Sequence, residues 1–151
     1  MTLLQQKLGR HQLGIWLAIF TLGILCLAWI MQGYSLLDWE GAIELGIQND
    51  SFNGDPAEQA WALESWGVAM ADMLWPMPIT ILGLIGLLRN RTYGFVLSMM
   101  AFSIGVYFPL FFAFQRWEAF RGVVIAALLL FTLPCLIGIL GLWANRRIFV
   151  D

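Results

Sequence analysis

Four stretches of about 20 residues, nearly free of charge, constrain this chain more than any other feature of its sequence. At 1.5 Å of rise per residue, about 20 residues cross the roughly 30 Å hydrocarbon core of a bilayer. A helix lets one such segment satisfy all its own backbone groups there. The stretches run from Leu13 to Met31, Val68 to Leu88, Thr92 to Phe114 and Val123 to Trp143. Composition agrees, with 60% apolar and 12% charged residues against about 45–50% and about 25% in an average globular domain. The surplus apolar surface needs lipid as its solvent. The expected fold is therefore an all-α integral membrane protein, a four-transmembrane-helix bundle forming one membrane domain over residues 1–151. The first stretch follows Lys7, Arg10 and His11, as a signal peptide would, but it is longer than a typical apolar leader core and no small-x-small site follows closely. It reads as a retained helix.

Orientation follows from the cations. Lys7, Arg10, Arg89, Arg91, Arg146 and Arg147 fall on one side of this four-helix arrangement, and only Arg116 and Arg121 on the other. The long loop 32–67 has seven acids and no Lys or Arg. The positive-inside rule then puts both termini in the cytoplasm and the loop outside, in a bacterial-type inner (plasma) membrane. Nucleic-acid binding has no support, because the basic residues form no patch with interleaved aromatics.

The outer loop has its own helical signals. Leu36, Leu37, Ile43 and Ile47 alternate at helical spacing with Asp38, Glu40 and Glu44, which predicts a short amphipathic helix near 36–47. Asn53-Gly54 reads as a turn, and Asp55, Pro56 and Glu58 have the spacing of a capping box that opens a helix near 56–66 and leads into the second span. Six of the eight tryptophans, Trp29, Trp39, Trp61, Trp66, Trp75 and Trp117, fall at or beyond the outer boundary. They form either an anchoring belt or the walls of a pocket for an apolar or cationic ligand.

The segments LGLIGLLRNR (82–91) and IGILGLWANRR (137–147) resemble each other, each after a proline and each ending in arginines. They admit either a duplicated hairpin or the ordinary glycine-leucine content of membrane helices. In both cases Gly83, Gly86, Gly138 and Gly141 create shallow surfaces for close helix approach.

Few residues could carry chemistry. His11, the single histidine, lies outside the first helix, which rules out paired-histidine haem ligation and a histidine base for a nucleophile at the outer face. Cys26 and Cys135 lie within apolar stretches and form no Cys-x-x-Cys pair. Asn49 to Ala60 only weakly matches a calcium loop, since Ala60 replaces the bidentate glutamate. Asn49-Asp50-Ser51 fits a glycosylation sequon. No metal or cofactor is expected.

The candidate site is the start of the second span. Asp72 is an ionisable group at membrane depth, which marks a functional position unless a structural ion pair accounts for it. Pro76 cannot donate to the carbonyl of Asp72, nor Pro78 to that of Leu74, leaving acceptors beside the carboxylate. Trp61, Glu64 and Trp75 flank it in sequence; Arg116 and Arg121 are its expected counterions, with Glu118 between them and Tyr107 at the border. The expected function is a non-enzymatic membrane module that binds a lipidic or apolar small molecule, or a partner membrane protein, through an outer-leaflet pocket. Two alternatives are a small homo-oligomeric transporter or channel for a proton, cation or small solute, and a lipid-modifying enzyme that uses Glu64 and Asp72.

Overall fold

The computed structural model describes residues 3–48 and 51–149, and the Asn49-Asp50 part of the calcium-loop and sequon readings lies outside them. A two-stranded antiparallel hairpin, β1 (Lys7–Leu8) and β2 (His11–Gln12), leads into α1 (Leu13–Leu37). There follow α2 (Trp39–Glu44), α3 (Pro56–Leu74), α4 (Pro76–Leu88), α5 (Thr92–Ala127), a π-helical segment (Leu128–Thr132) and α6 (Leu133–Ala144). Four helical runs, Leu13–Leu37, Pro56–Leu88, Thr92–Glu118 and Phe120–Ala144, are long and apolar enough to cross a membrane.

The boundaries differ from the sequence reading for identifiable reasons. No proline interrupts 32–37, so α1 continues through that part of the expected loop and stops where Asp38 leaves helical geometry (φ −146°, ψ 86°). The Asp38 carboxylate then accepts from the Gly41 N–H at 2.9 Å and starts the shorter α2. Asp55 and Glu58 complete the expected capping box at α3. The residue before a proline is pushed out of the α region, and Trp75 (φ −126°, ψ −64°) accordingly separates α3 from α4. The expected link near 115–122 is helical through Glu118, and the chain turns at Phe120 (φ −136°, ψ 42°), within α5 as a whole. Pro134 has no N–H to give Leu130, and the wider π turn occurs just before it, with the Leu133 N–H bonded to Leu128 O.

The chain divides into two compact units, Met1–Leu25 with Ile79–Asp151, and Cys26–Pro78. In the first, Ile15, Leu22, Leu25, Leu87, Phe102, Cys135 and Leu142 form a buried core. Glycines bring its backbones together. A Cβ on Gly14 would stand 2.8 Å from the Gly141 Cα, one on Gly138 2.7 Å from the Phe102 ring, and one on Gly86 would collide with Gly94.

One end of this unit is tied by polar bonds that join three separate chain segments. The Gln5 amide donates to Ala144 O at 3.0 Å, and the Asn145 amide to Leu4 O at 3.0 Å and Gly141 O at 2.8 Å. Thr92 Oγ1 donates to Phe149 O, and Phe149 stacks on Phe95 at 5.6 Å. His11 is buried beside Asn90 and Trp16. The segments holding Lys7 and Arg10, Arg89 and Arg91, and Arg146 and Arg147 therefore meet at a common end.

The second unit contains the distal part of α1, then α2, a 3-10 turn (Ser51–Asn53) and α3. Gly33 lets α1 and α3 approach, since its Cβ would lie 3.0 Å from Met73 Sδ.

Candidate functional site

The loop unit forms an open cleft of about 800 Å³, and its walls come from four short pieces of chain. Ser35 and Leu36 enter from the end of α1, Trp39, Glu40, Ile43 and Glu44 from α2, Phe52 and Asn53 from the 3-10 turn, and Leu63 and Trp66 from α3. The Asp38 cap fixes where α2 begins, and helical spacing then sets Trp39 and Ile43, and Glu40 and Glu44, one turn apart. Trp39 meets Phe52 edge to face, with ring centroids 4.8 Å apart and planes at 71°. Ser35 is buried; its hydroxyl donates to Met31 O at 3.2 Å and accepts from the Gln48 amide at 3.2 Å.

Two features give this cleft chemical character. Three aromatic side chains, Trp39, Phe52 and Trp66, combine with the exposed carboxylates of Glu40 and Glu44. The indole N–H of Trp39 is buried without a hydrogen-bond acceptor among the described residues. Aromatic faces and carboxylates together suit a ligand with an apolar body and a positive charge.

The sequence-predicted residues occupy other positions. Asp72 is buried on α3, where the Gln32 side chain of α1 hydrogen-bonds it, a partner that sequence reasoning missed. Trp61 and Glu64 lie on the exposed side of α3, and Trp75 is 61% exposed at the break before Pro76. Tyr107, Arg116 and Glu118 belong to α5 in the other unit, as does Arg121 just beyond the Phe120 turn. Arg116 is buried, Arg121 lies 5.3 Å over the Trp117 ring, and Tyr107 stacks on Phe111 at 6.2 Å. None of these eight residues lines the loop cleft.

Trp39 and Trp66 were legible as members of an outer tryptophan cluster. Phe52, Glu40 and Glu44 were not assigned to a site; the Trp39/Ile43 and Glu40/Glu44 spacings were the available signal. Among the described residues, no three His, Cys, Asp or Glu side chains gather to hold a metal ion. No family model, curated protein or solved structure matches this chain.

Proposed function

We propose that the chain is a non-enzymatic module of a bacterial-type plasma membrane that binds an apolar or lipidic small molecule bearing a positive charge. Its termini are cytoplasmic and its loop unit faces outward. The loop cleft carries this reading: aromatic walls and two carboxylates lie in a segment, 32–67, with seven acids and no Lys or Arg. A cation over an aromatic face is attracted by the ring quadrupole, and nearby carboxylates reinforce the same sign preference.

The test compares an alkyltrimethylammonium probe with its uncharged tert-butyl isostere on the full chain in nanodiscs of an uncharged glycolipid. The cation should bind about tenfold more tightly, and Trp39→Ala or Glu40→Gln/Glu44→Gln should remove that preference. Equal affinity for both probes, or a preference unchanged in these variants, would contradict the reading.

A second reading, a small transporter for a proton or cation, draws on Asp72. A carboxyl group buried within a span and hydrogen-bonded by Gln32 lies just before the Trp75 break, an arrangement common to ion pathways. Proteoliposome flux abolished by Asp72→Asn, with the fold retained, would favour it over the binding module.

A further inference from the structure

The arginine-bearing end of the first unit holds a second cleft, distinct from the loop cleft. It has a volume of about 430 Å³ and lies between the beginning of α5 and the end of α6. Phe95 and Val96 line it from α5, Trp143 from α6, and Arg146 and Arg147 from the segment that follows. Its lining combines apolar and aromatic side chains with two guanidinium groups, so the groove is amphiphilic.

Its local bonding holds this arrangement in place. Thr92 Oγ1 donates to Phe149 O and Phe149 stacks on Phe95, which ties the tail 146–149 to α5. Arg146 places its guanidinium 4.8 Å over the Trp143 ring and donates from Nη1 to Trp143 O at 3.0 Å. That uses one of five N–H donors, and a guanidinium offers a planar fork that matches phosphate oxygens. Val96 is 47% and Trp143 56% exposed, on helices that have the length and composition of membrane spans. An acyl chain beside them would meet apolar surface, while its phosphate would be at the arginines.

We infer that this groove is a binding site for an anionic phospholipid, with the phosphate on Arg146 and Arg147 and an acyl chain along Val96, Phe95 and Trp143. The assignment does not depend on the loop cleft. A lipid fits better than a soluble phosphate because the same groove is lined by both arginines and by exposed apolar side chains of two candidate spans. Juxtamembrane basic pockets between helices recognise lipid head groups through this combination.

Native mass spectrometry of the full chain, released from mixed phosphatidylglycerol and phosphatidylcholine, provides the test. The protein should retain phosphatidylglycerol in preference by about tenfold or more, and Arg146→Gln/Arg147→Gln should abolish the preference. The charge-matched control Arg89→Gln/Arg91→Gln, at exposed positions of the same end, should keep it. Val96→Trp, at an exposed position, should weaken retention with both arginines intact, and glycerol phosphate or inorganic phosphate should fail to compete. Equal retention of the two lipids, equal loss in both double variants, unchanged retention in Val96→Trp, or effective competition by soluble phosphate would each overturn the assignment.

Discussion

At the scale of single residues, the glycines separate into two kinds by what a methyl group would meet. Gly141 packs on the Gly14 backbone, which cannot retreat without moving a helix. Gly141→Leu is expected to lower stability by roughly 1–3 kcal/mol, as overpacking of close interfaces does; unfolding midpoints in detergent check this. Gly23 has nothing within 4 Å of its Cβ position, so Gly23→Ala should be neutral or stabilising by up to about 1 kcal/mol through helix propensity. His11 makes a different prediction. Burial pushes its pKa below the ordinary value of 6.5, the Asn90 side chain beside it opposes this, and nearby Arg10 lowers it further. The folded state therefore disfavours the imidazolium. The contribution is fully present above pH 6.5 and is lost as pH falls through the lowered folded value. Melting temperature should decline on acidification from that point, and His11→Phe, which keeps a ring against Trp16, should flatten this part of the profile. An unchanged profile in the variant would rule out His11 as its source.

At the scale of elements, what could be read from sequence was what local chemistry decides. The Asp55–Glu58 capping box is formed as its spacing implied. Asp55→Ala should cost about 1 kcal/mol and speed hydrogen exchange at the Ala57 and Glu58 amides, which the Asp55 carboxylate holds at 2.8 and 2.9 Å. Exchange unaltered at these two amides would show that the cap is energetically idle. The Trp75 break was signalled by Pro76. The turn at Phe120 falls within the 115–122 link that Arg116, Glu118 and Arg121 marked between two apolar stretches, although no proline stands beside it to fix the exact residue. By contrast, the tie between residues 3–12 and the end of α6 was illegible, because Gln5 bonds Ala144 and Asn145 bonds Leu4 across almost the whole chain. Site residues divide the same way. Asp72 was identifiable as a charge in an apolar run, but its partner Gln32 was not, since Gln32 sits on another helix. The loop cleft needed Trp39, Phe52 and Trp66 brought together from α2, a turn and α3, and sequence spacing relates only residues on one element.

At the scale of the whole molecule, apolar exposure is the dominant physical fact. Phe20, Leu74, Phe114 and Leu140 are 69%, 75%, 90% and 61% exposed, and they lie on four different candidate spans. Such a surface is unstable in water and ordinary in lipid. Charge is also unevenly distributed along the chain: the loop 32–67 has seven acids and no Lys or Arg, whereas Lys7, Arg10, Arg89, Arg91, Arg146 and Arg147 belong to the segments that meet at one end of the first unit. That division underlies both the proposed cation site in the loop cleft and the proposed lipid groove at Arg146 and Arg147. Single cysteines at Ala60→Cys and Arg147→Cys, in a Cys26→Ser/Cys135→Ala chain, can be probed with a membrane-impermeant maleimide on whole cells. Labelling of the residue-60 cysteine is expected in intact cells and of the residue-147 cysteine only after permeabilisation; the reverse pattern, or labelling of both in intact cells, would contradict the proposed orientation.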